Sequence, residues 1–134
     1  MKIGIDVHGV ITKHPKFFSE LTHLIKQDEG EVHILTGSSF NPNTKYGRKA
    51  LDELKNCGIY YTHLFSIIDH HEDIGTEVVY EDSENPWIDG ELWDKAKAEY
   101  CKENRIDIMF DDTQKYGKYF STPFVCFHSI VEEK

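Results

Sequence analysis

Three short apolar runs in this chain break off abruptly into acids or hydroxyls. Residues 3–7 carry Asp6, residues 32–35 run into Thr36-Gly37-Ser38-Ser39, and residues 106–110 run into Asp111-Asp112. Apolar runs this short, rich in β-branched residues, read as buried strands rather than helices. Between them the spacing turns helical. After Pro15, the side chains of Phe17, Phe18, Leu21, Leu24 and Ile25 share one face. A second helix is expected from about residue 44, with Ala50, Leu51 and Leu54 inward and Gly58 as its stop, and a third over 92–104, with Trp93, Ala96 and Tyr100 on one face. Residues 63–68 and 124–127 supply two more strands. Strands alternating with helices predict a three-layer α/β/α sandwich with a mainly parallel, five-stranded sheet.

One domain is expected over residues 1–134, a length that suits a single hydrophobic core. Residues 69–89 break the rhythm, apart from 77–80. They are acidic, contain His70-His71, Pro86 and Trp87, and read as an irregular surface insertion near the active edge.

Charge narrows the function. The formal net charge of −9 would repel a phosphate backbone, so bulk nucleic-acid binding is not expected. A small anionic ligand remains open, because a local metal ion or helix terminus overrides the average field. The chain enters a strand at once, with no apolar leader, and no run approaches the roughly 20 apolar residues of a membrane span. Three widely spaced cysteines, Cys57, Cys101 and Cys126, suit free thiols in a reducing compartment. The expected location is therefore the cytoplasm.

In a parallel α/β sheet, ligands bind outside the carboxyl ends of the strands. There the sequence collects Asp6 and His8, Thr36 and Ser38, and Asp111 and Asp112. Any one of these could be an ordinary polar strand end. Together, on one edge, they make a set of hard oxygen donors suited to Mg²⁺. A cation would also relieve the repulsion between adjacent aspartates.

The run Ile3-Gly4-Ile5-Asp6-Val7-His8-Gly9-Val10-Ile11 resembles the first motif of haloacid dehalogenase-superfamily phosphatases, nearest to their 5′-nucleotidase-like members. Leu35-Thr36-Gly37-Ser38 resembles the second motif, and Met109-Phe110-Asp111-Asp112 the fourth. Lys97 is the preferred match to the third-motif lysine, with Lys95 the runner-up. The resemblance implies a capless, Mg²⁺-dependent phosphohydrolase acting on a phosphomonoester, with a nucleotide as the leading substrate. It implies that Asp6 attacks phosphorus to form an aspartyl-phosphate. Mg²⁺ would be held by the Asp6 carboxylate, the backbone carbonyl of His8, and Asp111 or Asp112. Thr36, Gly37, Ser38, Lys97 and Gly9 would surround the phosphoryl oxygens. An open, capless site either takes bulky substrates or borrows a lid from a second copy, so a homo-oligomer is one expected arrangement.

His8 stands where such phosphatases carry a second aspartate as general acid and base. Imidazole can exchange protons near neutrality. The alternative is a catalytically weak or inactive relative that binds a phosphate-containing ligand or a protein partner. His70-His71 reads as part of a solvated loop, and Trp87 and Trp93 as able to stack on a base, although a tryptophan on a helix face, as Trp93 is, more often belongs to the core. His14, His23, His33, His63 and His128 read as surface or interior structural residues.

Overall fold

The computed structural model describes residues 1–80 and 86–127; His128 and residues 81–85 of the expected insertion lie outside them. Strand β1 (Lys2–Asp6) leads into an irregular helical turn (Val7–Ile11), then α1 (Pro15–Gln27) and β2 (Glu31–Thr36). Helix α2 (Lys45–Asn56), β3 (His63–Ser66) and α3 (Ile67–Asp73) follow. A two-stranded antiparallel ribbon, β4 (Val79–Tyr80) and β5 (Pro86–Trp87), precedes α4 (Gly90–Glu103). Strand β6 (Ile108–Asp111), a 3₁₀ turn (Gln114–Tyr119) and β7 (Phe124–Cys126) complete the described chain.

The main sheet has the order β3-β2-β1-β6-β7, and every pair is parallel. This is the five-stranded parallel α/β/α sandwich that the strand–helix alternation predicts. The side-chain period of two divides each strand between the two covering layers. Ile3, Ile5, Val32 and Ile34 pack with Phe18, Ala50 and Leu54 of α1 and α2. Leu35 and Met109 pack on the opposite face with Ile67, Ile68, Ala96 and Cys101 of α3 and α4. Gly4 turns toward that second face, where a Cβ would meet the Met109 sulfur at 2.7 Å.

Local signals set the helix ends. Thr44 caps α2 by accepting a hydrogen bond from Gly47 N at 3.0 Å. At the other end Gly58 adopts a φ of 66°, the left-handed conformation that closes a helix at little steric cost. Ser66 accepts from Asp69 N at 3.0 Å and starts α3. That cap explains two departures from the sequence expectation. The third strand stops at Ser66 instead of running to 68, and the start of the 69–89 stretch is helical.

The chain order creates a switch point. From β1 the chain moves outward through β2 and β3, then returns to place β6 on the other side of β1. Ile5 is in register with Phe110, so the two strands end level, in Asp6 and Asp111. The crevice beyond such a reversal is where open α/β sheets bind ligands.

Candidate functional site

Helix α4 runs back against the strands, so its early turns lie over the carboxyl edge of the sheet. Trp93, Lys97 and Cys101 recur every four residues and share a face. Lys97 is buried and donates to Asp6 Oδ1 at 3.0 Å and to Asp111 Oδ2 at 2.8 Å. Asp111 is fully buried, and its other oxygen accepts from Thr113 N at 2.9 Å. Ligand oxygens of Asp6, Asp111 and Asp112 lie within 4.8 Å of one another. Sequence alone left Lys95 and Lys97 open; Lys97 reaches the carboxylates, while Lys95 pairs with Glu99 on the surface of α4 at 3.8 Å.

The electrostatics follow from this count of charges. Burial raises the Asp6 carboxyl to about 7; Lys97 opposes the rise, and Asp111 and Asp112 add to it. Burial alone would lower Lys97, but Asp6 and Asp111 more than offset it and hold the ammonium firmly protonated. One ammonium thus serves three carboxylates. Ionised, the cluster carries a net charge of about −2, which matches one divalent cation. All-oxygen donors favour a hard ion such as Mg²⁺. The residues fit that ion: Asp6, Asp111 and Asp112 would hold it.

Gly9 completes one wall. Its φ is 79°, and a Cβ there would sit 2.0 Å from Asp112 Oδ2. Replacing Gly9 by alanine must therefore both strain the turn and displace the Asp112 carboxylate. Gly9→Ala is expected to weaken divalent-cation binding about tenfold, or ~1.4 kcal/mol. Calorimetric titration of Mg²⁺ into both proteins checks this, and equal affinities would show that Asp112 takes no part.

The other expected residues divide. Thr36 is buried at the end of β2. Gly37 lies flat beneath Trp93, where a Cβ would meet the indole at 2.3 Å. Ser38 faces an adjoining cavity. His8 keeps its backbone near the carboxylates through neighbouring Gly9, but its ring turns to α2, with Nε2 3.2 Å from Glu53 Oε2.

The adjoining cavity, of about 750 Å³, was not foreseen as a unit. Ser38, Ser39, Thr44, Arg48, Trp87 and Trp93 are among its walls. Asp69 anchors the β2–α2 loop beside it, accepting from Ser39 Oγ at 2.6 Å and Phe40 N at 2.9 Å. The Tyr80 hydroxyl donates to Glu72, tying the ribbon to α3. Trp93 joins cavity to carboxylates: its Nε1 donates to Tyr116 Oη at 2.9 Å, and the Tyr116 ring centroid lies 5.7 Å from Lys97 Nζ. Trp87 was legible as a stacking residue. Arg48 was not, because it lies on an amphipathic helix where a cation is ordinary.

Comparison with known proteins gives a fold but no family. No family model and no curated protein matches the chain. A solved universal stress protein, crystallised in complex with cAMP, superposes with a TM-score of 0.50 at 12% identity, covering 96% of both chains. At that identity the likeness speaks to the parallel α/β architecture. It lends no support to the expected membership of the haloacid dehalogenase superfamily, and the Mg²⁺-dependent phosphohydrolase reading falls with it. The physical reason lies in the motifs. Any doubly wound sheet sets polar residues at its strand ends, so short ordered motifs there do not separate one such family from another. The His8 ring, on which the acid–base step depended, also turns toward Glu53 of α2.

Proposed function

We propose that this protein binds a small phosphorylated ligand carrying a flat ring, of the nucleotide type, across the carboxyl edge of the sheet. The observation that carries the reading is the cavity of about 750 Å³ beside the Asp6–Lys97–Asp111 cluster. Its size suits a ligand of this class. Trp87 and Trp93 offer ring faces and edges for stacking, and Arg48 offers a guanidinium for phosphate oxygens. Mg²⁺ held by Asp6, Asp111 and Asp112 would cancel the cluster's own negative charge, so that it no longer repels a phosphate. Lys97, the main-chain N–H groups of the Gly9 turn, and the hydroxyls of Thr36 and Ser38 would orient the phosphate. The similar fold of a protein crystallised with cAMP supports a nucleotide over other aromatic phosphates. No described helix is long and apolar enough to cross a membrane, and Cys57, Cys101 and Cys126 form no disulfide. Unbridged thiols favour a reducing, cytoplasmic setting.

Tryptophan fluorescence during titration with ATP, ADP, AMP and cAMP, each with Mg²⁺ and with EDTA, tests the proposal. At least one nucleotide should quench emission saturably, and EDTA should weaken binding of the di- or triphosphate. Trp87 is 60% exposed, so its replacement leaves the core intact. Trp87→Ala should weaken that nucleotide about tenfold, within the range of one lost stacking contact. Absence of saturable binding by every nucleotide under both conditions would overturn the reading.

A further inference from the structure

At the opposite end of the sheet, near the starts of β2 and β3, Glu31, His33 and His63 come together. Glu31 and His33 are two residues apart on β2 and so share a face. His63 is the register partner of His33 on the parallel neighbour β3. From sequence these histidines read as isolated structural residues; strand pairing alone makes them neighbours. We propose that Glu31 Oε1, His33 Nε2 and His63 Nδ1 form a binding site for a borderline transition-metal ion of the Zn²⁺ type, separate from the carboxylate cluster.

The distances support three ligands on one ion. Metal–ligand bonds of about 2.0–2.1 Å in a tetrahedral site place donor atoms roughly 3.4 Å apart. Glu31 Oε1 lies 2.9 Å from His33 Nε2 and 3.8 Å from His63 Nδ1, and all three donors fall within 4.8 Å of one another. Two imidazoles and one carboxylate select Zn²⁺, Co²⁺, Ni²⁺ or Cu²⁺ over Mg²⁺. His33 is prepared for the role. Its ring is buried, with Tyr100 Oη 2.6 Å from Nδ1 and Nε2–H donating to Glu31 Oε1 at 2.9 Å; coordination displaces that proton while Tyr100 holds the ring from the other side.

His63 closes the site by moving. Its ring stacks on His33 at 4.1 Å between centroids and 3° between planes, so the two in-plane lone pairs run side by side. A half-exposed ring can turn about its own side-chain bonds, exchanging its 2.8 Å contact with Thr62 Oγ1 for the ion. Glu31 likewise gives up part of its 3.5 Å pairing with Lys2. Three protein ligands leave the fourth position to water, so the ion should exchange readily.

Calorimetric titration of Zn²⁺ into the full chain, with a visible spectrum of the Co²⁺ form, tests the site. With excess Mg²⁺ present to occupy the carboxylate cluster, one Zn²⁺ per chain should bind tightly, and Co²⁺ should show tetrahedral d–d bands without a thiolate charge-transfer band. His63→Gln and Glu31→Gln, both at partly exposed positions, should each weaken Zn²⁺ at least tenfold. His70→Gln should leave Zn²⁺ affinity unchanged. Unaltered affinity in His63→Gln, a thiolate band, loss in His70→Gln, or no saturable binding would each overturn the proposal.

Discussion

Replacing Lys97 by methionine will lower the unfolding free energy by about 3–5 kcal/mol, the usual penalty for removing one partner of a buried ion pair. Methionine has nearly the volume of lysine, so the loss is electrostatic and not a cavity effect. Among the described residues, Lys97 alone lies within hydrogen-bond distance of both Asp6 and Asp111. Without it, two buried carboxylates face each other with no compensating charge. The penalty should depend on pH. Below the Asp6 value of about 7 that carboxyl is already neutral, and only Asp111 loses its partner. Urea unfolding at pH 5.5 and pH 8 should therefore show the larger loss at pH 8. A loss below about 1 kcal/mol at both pH values would mean that the ammonium does not hold the cluster together.

Asp6→Asn should do the reverse, making the metal-free protein more stable at pH 8. The sign follows from the proton count. Asp6 ionises near 3.8 when unfolded and near 7 when folded. Between these values the folded chain holds a proton that the unfolded chain has released, so stability falls as pH rises through this window. Asparagine has no such proton. The variant should show a flatter pH profile and exceed the native protein at pH 8 by on the order of 2 kcal/mol. Magnesium should reverse the order. A hundredfold excess of ion over Kd adds about 2.7 kcal/mol to a protein that binds it. The native chain should gain this, and the Asp6→Asn variant should not. Thermal unfolding with EDTA and with Mg²⁺ checks both halves. Parallel pH profiles for the two proteins would remove the buried-carboxyl argument, and equal Mg²⁺ gains would remove Asp6 from the metal site.

Buried carboxylates that cost stability cluster at functional sites. Asp6, Lys97 and Asp111 are joined by hydrogen bonds yet charge-imbalanced, and the imbalance is what a cation or a cationic complex would correct.

Much of this was readable along the chain, because the relevant physics is local. Alternating periods of strand and helix, with Pro15 and Gly58 as punctuation, determine a parallel α/β sandwich. Chain direction then determines that Asp6, Thr36 and Asp111 end strands on one edge. Short motifs went no further. They suggested a phosphatase family that the comparisons do not support, since polar strand ends belong to the architecture. Tertiary structure decided the rest. It chose Lys97 over Lys95, because only the helix face packed on the sheet can bring a cation to the carboxylates. It turned the His8 ring to Glu53, a partner 45 residues away. It stacked His33 on His63 through strand register, across 30 residues of chain that carry no local trace of the pairing. Periodicity is a property of neighbours in sequence and so can be read there. Which side chains share a cation or a cavity depends on packing between distant segments, and only the folded chain supplies that.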